Sequence, residues 1–213
     1  MLGIQRFVFN SFLENTYIIW DQSSKDAAII DPGCYDAKER ETVDNFIIEN
    51  SLRLKFLVNT HCHIDHIFGN AYIKVKYNPV FLAPETDLPI LDLMMDTAKS
   101  YNLELTRSPN PDKFISEHEP FELGELKGKF LFTPGHTPGE FCLYFEKEKV
   151  CFTGDVLFKG SIGRTDLWGG GYSVLIGSIK TKLFNLPDDV KIYPGHESES
   201  IIGEERKYNP FFK

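Results

Sequence analysis

Apolar positions first fall into short runs rich in β-branched and aromatic residues. Arg6–Asn10 and Thr16–Trp20 read as strands, and Ala27–Ile30 as a third, closed by the turn Asp31-Pro32-Gly33. A helical period follows. Asp36 can cap a helix that reaches about Asn50, with Val43, Phe46 and Ile47 on one face. Leu54–Val58 predicts a short buried strand, and Phe68–Tyr77 a helix stopped by Asn78-Pro79. Thr86–Tyr101 predicts a second long helix carrying Ile90, Leu91, Met94 and Met95, whereas Pro109 and Pro111 make Ser108–Glu119 irregular. Strands resume at Lys129–Phe132, Phe141–Phe145 and Val150–Phe152. A glycine-rich stretch from Gly154 to Gly171 follows, then a helix over Tyr172–Phe184 and a last strand at Val190–Tyr193. Strands and helices mixed through both halves predict a layered α/β protein, and no linker-like run divides residues 1–213 into separate domains.

Composition narrows the class. The chain has 213 residues, 42% of them hydrophobic, enough for a sizeable core. A formal charge of −8 repels phosphate backbones and argues against a nucleic-acid partner. No 18-residue apolar run marks a membrane span, and the segment MLGIQRFVFNSF lacks the organisation of a signal peptide. The four cysteines form no CxxC pair, so reduced thiols and a cytoplasmic location are expected.

The polar residues are placed non-randomly. Four times an apolar strand runs into a Thr, Pro or Gly turn and then a His or Asp: at Phe56–His61, Phe130–His136, Cys151–Asp155 and Lys191–His196. Strand ends are where a rigid sheet presents binding groups. The densest motif is His61-Cys62-His63-Ile64-Asp65-His66. On extended backbone His61 and His63 face one side and Cys62 the other, which gives the cysteine a packing role. Three imidazoles and a carboxylate within six residues suit zinc, iron or manganese. No rival nucleophile stands out. Ser161 lies in Lys-Gly-Ser-Ile-Gly, which is not a GxSxG elbow, and Cys142 and Cys151 sit in apolar strands. His118, among charges, reads as surface.

HxHxDH followed by a later His, an Asp and a final His resembles the metallo-β-lactamase fold family over nearly the whole chain. The resemblance implies a four-layer αββα sandwich with its metal site at one edge. It implies that His61, His63 and His136 hold one metal, that Asp65, His66 and His196 hold a second, and that Asp155 bridges them. The expected cofactors are two divalent ions, zinc first, with iron or manganese as alternatives. Asp155 and the stretch Gly154–Asp166 look most like the compact bacterial glyoxalase II-like hydrolases, as does the ending Ile202–Arg206 through Asn209–Phe212.

That branch implies cleavage of a thioester, S-lactoylglutathione or a related acyl-thiol, by a metal-bridging hydroxide that Asp65 helps to orient. Arg164, matching a basic position that meets a glutathione carboxylate, and nearby Lys159 are the expected contacts to an anionic small-molecule substrate. Asp166 and Ser198 stand where glyoxalase II has glutathione-contacting tyrosines, and the helical C-terminal domain of the full-length enzymes has no counterpart here. Met94 and Met95, with Leu91 and Leu93, form either an apolar lip over the metals or a helix face packed on the core. Two alternatives share the fold. One is an iron-dependent persulfide dioxygenase, which also carries a Gly-Arg-Thr-Asp motif like Gly163–Asp166; the other is a lactone hydrolase. Pro194-Gly195-His196-Glu197 favours the hydrolase over the dioxygenase.

Overall fold

In the computed structural model, which describes residues 1–213, the first two apolar runs become a hairpin of β1 (Leu2–Phe9) and β2 (Glu14–Asp21). β3 (Asp26–Ile30) pairs antiparallel with β2, and the chain then switches to crossovers between parallel strands. Asp36 does cap α1 (Ala37–Glu49), accepting the Glu39 N–H at 2.8 Å. β4 (Arg53–Val58) runs parallel to β3, and a short helix, α2 (Ile64–Ile67), precedes α3 (Asn70–Tyr77), which is the helix expected over Phe68–Tyr77. Between them Gly69 gives its N–H to the Pro32 carbonyl at 2.7 Å. A side chain there would meet Cys34 Sγ at 2.5 Å, so only glycine admits this approach.

β5 (Val80–Ala83), a 3₁₀ turn at Glu85–Asp87, α4 (Leu88–Ser100) and β6 (Lys113–Phe114) complete the first sheet, ordered β1-β2-β3-β4-β5-β6. β6 lies inside the stretch expected to be irregular; two residues held by Leu82 and Ala83 are too few to show a sequence period. In α4, Leu91 and Met94 are buried in the core with Ile90 and Ala98, while Leu93 is half exposed. Packing, rather than a lip, accounts for the two buried side chains.

The later strands are β7 (Pro120–Leu123), β8 (Leu126–Phe132), β9 (Phe141–Phe145), β10 (Val150–Gly154), β13 (Lys191–Pro194) and β14 (Ser200–Ile201), in sheet order β14-β13-β10-β9-β8-β7. Between β10 and β13 the glycine-rich stretch forms a separate two-stranded hairpin, β11 (Leu157–Phe158) and β12 (Ser161–Ile162). α5 (Tyr172–Ser178) continues as a π-helical turn over Ile179–Leu183, and α6 (Ile202–Tyr208) precedes a final 3₁₀ turn at Pro210–Phe212.

The residues divide into two compact units, Met1–Phe114 with Glu122–Leu126, and Ile115–Phe121 with Lys127–Lys213. The first packs Ile18, Ile29, Leu57 and Phe81 of its strands against Val43, Ile47, Ile73 and Ile90 of its helices. In the second, Cys142, Cys151 and Ile192 pack with Val156, Leu175, Ile179 and Ile202. No helix is long and apolar enough to cross a membrane.

Candidate metal centre

Parallel pairing of β3 with β4 places Ile30 opposite Val58, so the residues that follow both strands emerge side by side. Asp31 follows β3 in a left-handed conformation (φ 47°), which turns its carboxylate towards the chain leaving β4. Its Oδ1 accepts the Thr60 N–H at 2.7 Å and its Oδ2 accepts the Thr60 hydroxyl at 2.6 Å. With its proton so engaged, the Thr60 oxygen, 3.1 Å from His61 Nδ1, accepts the imidazole N–H, so that Nε2 is the nitrogen without a proton. Asp31 Oδ2 also lies 3.2 Å from His66 Nδ1, which turns Nε2 of that ring the other way. His66 Nε2 is 3.6 Å from Asp65 Oδ2. His61 and His66 are fully buried, and the His63 ring stands 4.9 Å from that of His61.

One buried carboxylate therefore sets which nitrogen two imidazoles present. Donor atoms of Asp31, His61 and His66 lie within 4.8 Å of one another, yet both Asp31 oxygens are occupied by Thr60 and the His66 Nδ1 face. Asp31 is thus an orienting partner of the kind that commonly supports metal-bound histidines. Asn10 fixes the next residue, donating its amide to the Asp65 carbonyl at 3.0 Å. Cys62 is buried in the first unit's core, and burial pushes its thiol well above the ordinary range; Cys34 is pushed up to about 12 for the same reason. Neither is a nucleophile at neutral pH.

In the second unit, β10 and β13 are also parallel, with Gly154 opposite Pro194, and Gly195 N–H bonds the Gly154 carbonyl at 2.7 Å. Asp155 and His196 follow directly. Buried Glu140 holds the Asp155 N–H at 2.7 Å. His136 comes after β8, where Gly135 passes so close to the start of α5 that a side chain would strike Leu175 N at 2.3 Å. His136 Nδ1 lies 2.8 Å from the Arg164 carbonyl and so carries the proton, because a carbonyl only accepts. Its Nε2 is 3.5 Å from Asp155 Oδ2, and His196 Nε2 is 3.5 Å from the same oxygen.

These spacings test the fit of a metal. Two atoms bonded at about 2.1 Å to one tetrahedral ion lie roughly 3.4 Å apart. The separations of 3.5, 3.5 and 3.6 Å match that, and the imidazole–carboxylate donor set suits divalent ions. The donors of each unit fit such an ion.

The expected substrate contacts are placed differently. Arg164 is exposed, and its guanidinium forks onto Asp166 through two 2.8 Å hydrogen bonds, which hold the Asp166 carboxyl down at about 2. Lys159 is exposed in the turn of the β11–β12 hairpin, and His118 is exposed as its charged surroundings suggest. Sequence reasoning passed over Asp31, Thr60, Glu140 and the Arg164 carbonyl. The recurring strand–turn pattern contained a clue to the first, since Asp31 also ends an apolar strand at a Pro-Gly turn.

Comparison with known proteins places this arrangement among relatives. A model of the Metallo-beta-lactamase superfamily matches residues 11–196. Hydroxyacylglutathione hydrolase GloC of Haemophilus influenzae is 39% identical over 212 residues, covering 99% of this chain and 98% of that protein. The human mitochondrial persulfide dioxygenase ETHE1 is 33% identical over 199 residues, 92% of this chain and 70% of its own. Among solved structures, the BLEG-1 B3 metallo-beta-lactamase is similar with TM-score 0.90 at 28% identity, covering 99% of this chain and 100% of its own. TTHA1623 in a di-iron-bound form has TM-score 0.85 at 28% identity, over 97% of this chain and 99% of its own.

Proposed function

The chain belongs to the metallo-beta-lactamase superfamily, whose members include metal-dependent hydrolases, and from that premise we propose that it hydrolyses a thioester at a two-metal centre. The observation that supports the reading is Asp155: one of its oxygens stands 3.5 Å from Nε2 of both His136 and His196, a spacing compatible with a carboxylate shared between metals. In this proposal His61, His63 and His136 would hold one ion, Asp65, His66 and His196 would hold the other, and Asp155 would be shared. Zinc is the proposed occupant; the di-iron form of TTHA1623 makes iron the alternative to be measured. Two bound divalent ions would lower the pKa of a water towards 7 and polarise a carbonyl.

The chain's own groups do the remainder. Asp31 and the Arg164 carbonyl keep the imidazoles presenting Nε2. Asp65, in this proposal, accepts a hydrogen bond from the attacking water. Addition of that water forms a C–O bond at the thioester carbonyl, and collapse breaks the C–S bond; the thiolate, a good leaving group, takes up one of the water's protons and the new acid loses the other, so no strong acid is demanded of the protein. S-lactoylglutathione or a related acyl-thiol is the proposed substrate, in keeping with the similarity to GloC over nearly the full length of both chains. Arg164 and Lys159 are proposed to meet its anionic end. Arg164 would exchange Asp166 for a substrate carboxylate, one exposed ion pair for another.

The test counts metals per chain in protein purified without added metal, then compares S-lactoylglutathione hydrolysis with oxygen uptake on glutathione persulfide. Two metals with thiol release support the proposal. One iron with oxygen uptake replaces it with the dioxygenase reading, for which the 33% similarity to the human enzyme is the favouring observation.

A further inference from the structure

All three proposed ligands of the second unit lean on the β11–β12 hairpin. A side chain at Gly163, just past β12, would fall 1.8 Å from the Asp155 carbonyl and 3.2 Å from His136 Nδ1, so the strand exit is pressed against both residues. The next residue supplies the carbonyl that His136 Nδ1 faces. On β11 the Phe158 ring stands edge-on to His196, 6.1 Å between centroids. Yet each strand has only two residues, Leu157 paired with Ile162 and Phe158 with Ser161. A ladder that short does not hold its own geometry.

The structure ties the hairpin down from elsewhere. Glu205, on α6 and 4% exposed, accepts the Gly160 N–H at the hairpin tip at 2.8 Å through Oε2. The same oxygen accepts the Asn209 amide at 2.9 Å, and Oε1 accepts the Ser200 hydroxyl. Asn209, 1% exposed, gives its amide to the Ser161 carbonyl as well, at 3.0 Å. Two buried side chains of the C-terminal segment thus hold one donor and one acceptor of the hairpin backbone. A buried carboxylate with three donors is costly to leave incomplete, which makes the clamp stiff.

We propose that Glu205, assisted by Asn209, is a positioning residue for the metal centre: it acts through the β11–β12 hairpin on His136, Asp155 and His196 and touches neither metal nor substrate. The inference rests on the two-metal reading above. It also gives the ending Ile202–Phe212 a task beyond packing.

Cobalt(II) titration of the metal-free protein, followed by its visible absorption bands, tests the inference without substrate. Glu205→Ala is expected to weaken cobalt binding about tenfold or more and to change the band pattern, as loss of a supporting partner does. Glu205→Gln keeps a carbonyl oxygen for Gly160 and should stay within about threefold of wild type. Arg206→Ala is the structural control. That side chain ties α6 to the carbonyls of Phe184 and Leu186 and to Asp188, away from the hairpin, so its loss should lower stability but leave the cobalt spectrum unchanged. Should Glu205→Ala fail to fold, Asn209→Ala carries the same comparison by releasing the Ser161 carbonyl and one of the Glu205 contacts while leaving Glu205 on Gly160. Wild-type cobalt binding by the Glu205 or Asn209 variant, or equal weakening in Arg206→Ala, overturns the positioning role. Failure of the wild-type protein to bind cobalt overturns the two-metal reading with it.

Discussion

At the scale of single residues, ligands and their supporters should respond differently to substitution. Asp155→Ala removes a donor to both proposed ions, so the metal content should fall below two per chain even in excess zinc. Turnover should drop by about a hundredfold or more. Asp31→Asn removes no ligand in this reading. It keeps an oxygen for Thr60 but loses the charge facing His66, so zinc affinity should weaken about 10- to 100-fold while saturating zinc restores the full count. Metal analysis across a zinc titration separates the two; an Asp31→Asn protein that saturates one ion short would make Asp31 a ligand. Arg164→Ala should raise KM for a glutathione thioester by no more than about fivefold, because an exposed pair contributes about 0–1 kcal/mol. A change in kcat with KM unaltered would remove Arg164 from substrate binding. The cysteines should be silent: with Cys34 pushed up to about 12 and Cys62 raised well beyond its usual range, native protein treated with iodoacetamide at pH 8 should retain its activity.

Among elements, the attachment of α1 to α3 is electrostatic as well as apolar. Asp44 on α1 accepts hydrogen bonds from Tyr77 at 2.6 Å and from Tyr72 and Lys76. Burial alone would raise its carboxyl, but these three donors outweigh burial and hold it below the usual carboxylate range. A depressed native pKa means stability that is complete above the unfolded value near 3.9 and lost as pH falls through the native one. Asp44→Asn should therefore cost about 2 kcal/mol at pH 7 and markedly less at pH 3, measured by urea unfolding at both pH values. A pH-independent difference would assign the cost to packing. Helix limits in this region also show how local rules meet tertiary ones: Asp36 caps α1 where its residue type predicts, whereas α3 begins two residues later than predicted, after Gly69 has given its N–H to the Pro32 carbonyl.

For the whole molecule, bound ions stabilise the folded state by mass action, since the unfolded chain offers no preformed set of ligands. Dialysis against a chelator should lower Tm by several degrees, and zinc in slight excess should restore it; an unchanged melting curve would mean that the donors are held without metal. Much of the centre was legible in the linear order of residues because His61, His63, Asp65 and His66 are neighbours in the chain, and their types alone specify donor chemistry. His136, Asp155 and His196 were legible for a second reason, as each ends an apolar strand at a turn. The small strands β6, β11, β12 and β14 were not, because two residues cannot display a period.

The sequence by itself determined the kind of chemistry, through imidazoles and carboxylates at strand ends, and the mixed α/β class, through its hydrophobic periods. Only the tertiary structure decided which nitrogen His61, His66 and His136 present. That choice depends on Asp31, remote in sequence and reaching His61 through the adjacent Thr60, and on the Arg164 backbone carbonyl, which has no side-chain signature. It also decided that Glu205 serves the hairpin, because an acid on a short helix looks like surface charge until the fold buries it against an amide 45 residues away. Residue type carries donor chemistry, whereas orientation comes from contacts that exist only once distant segments are packed together.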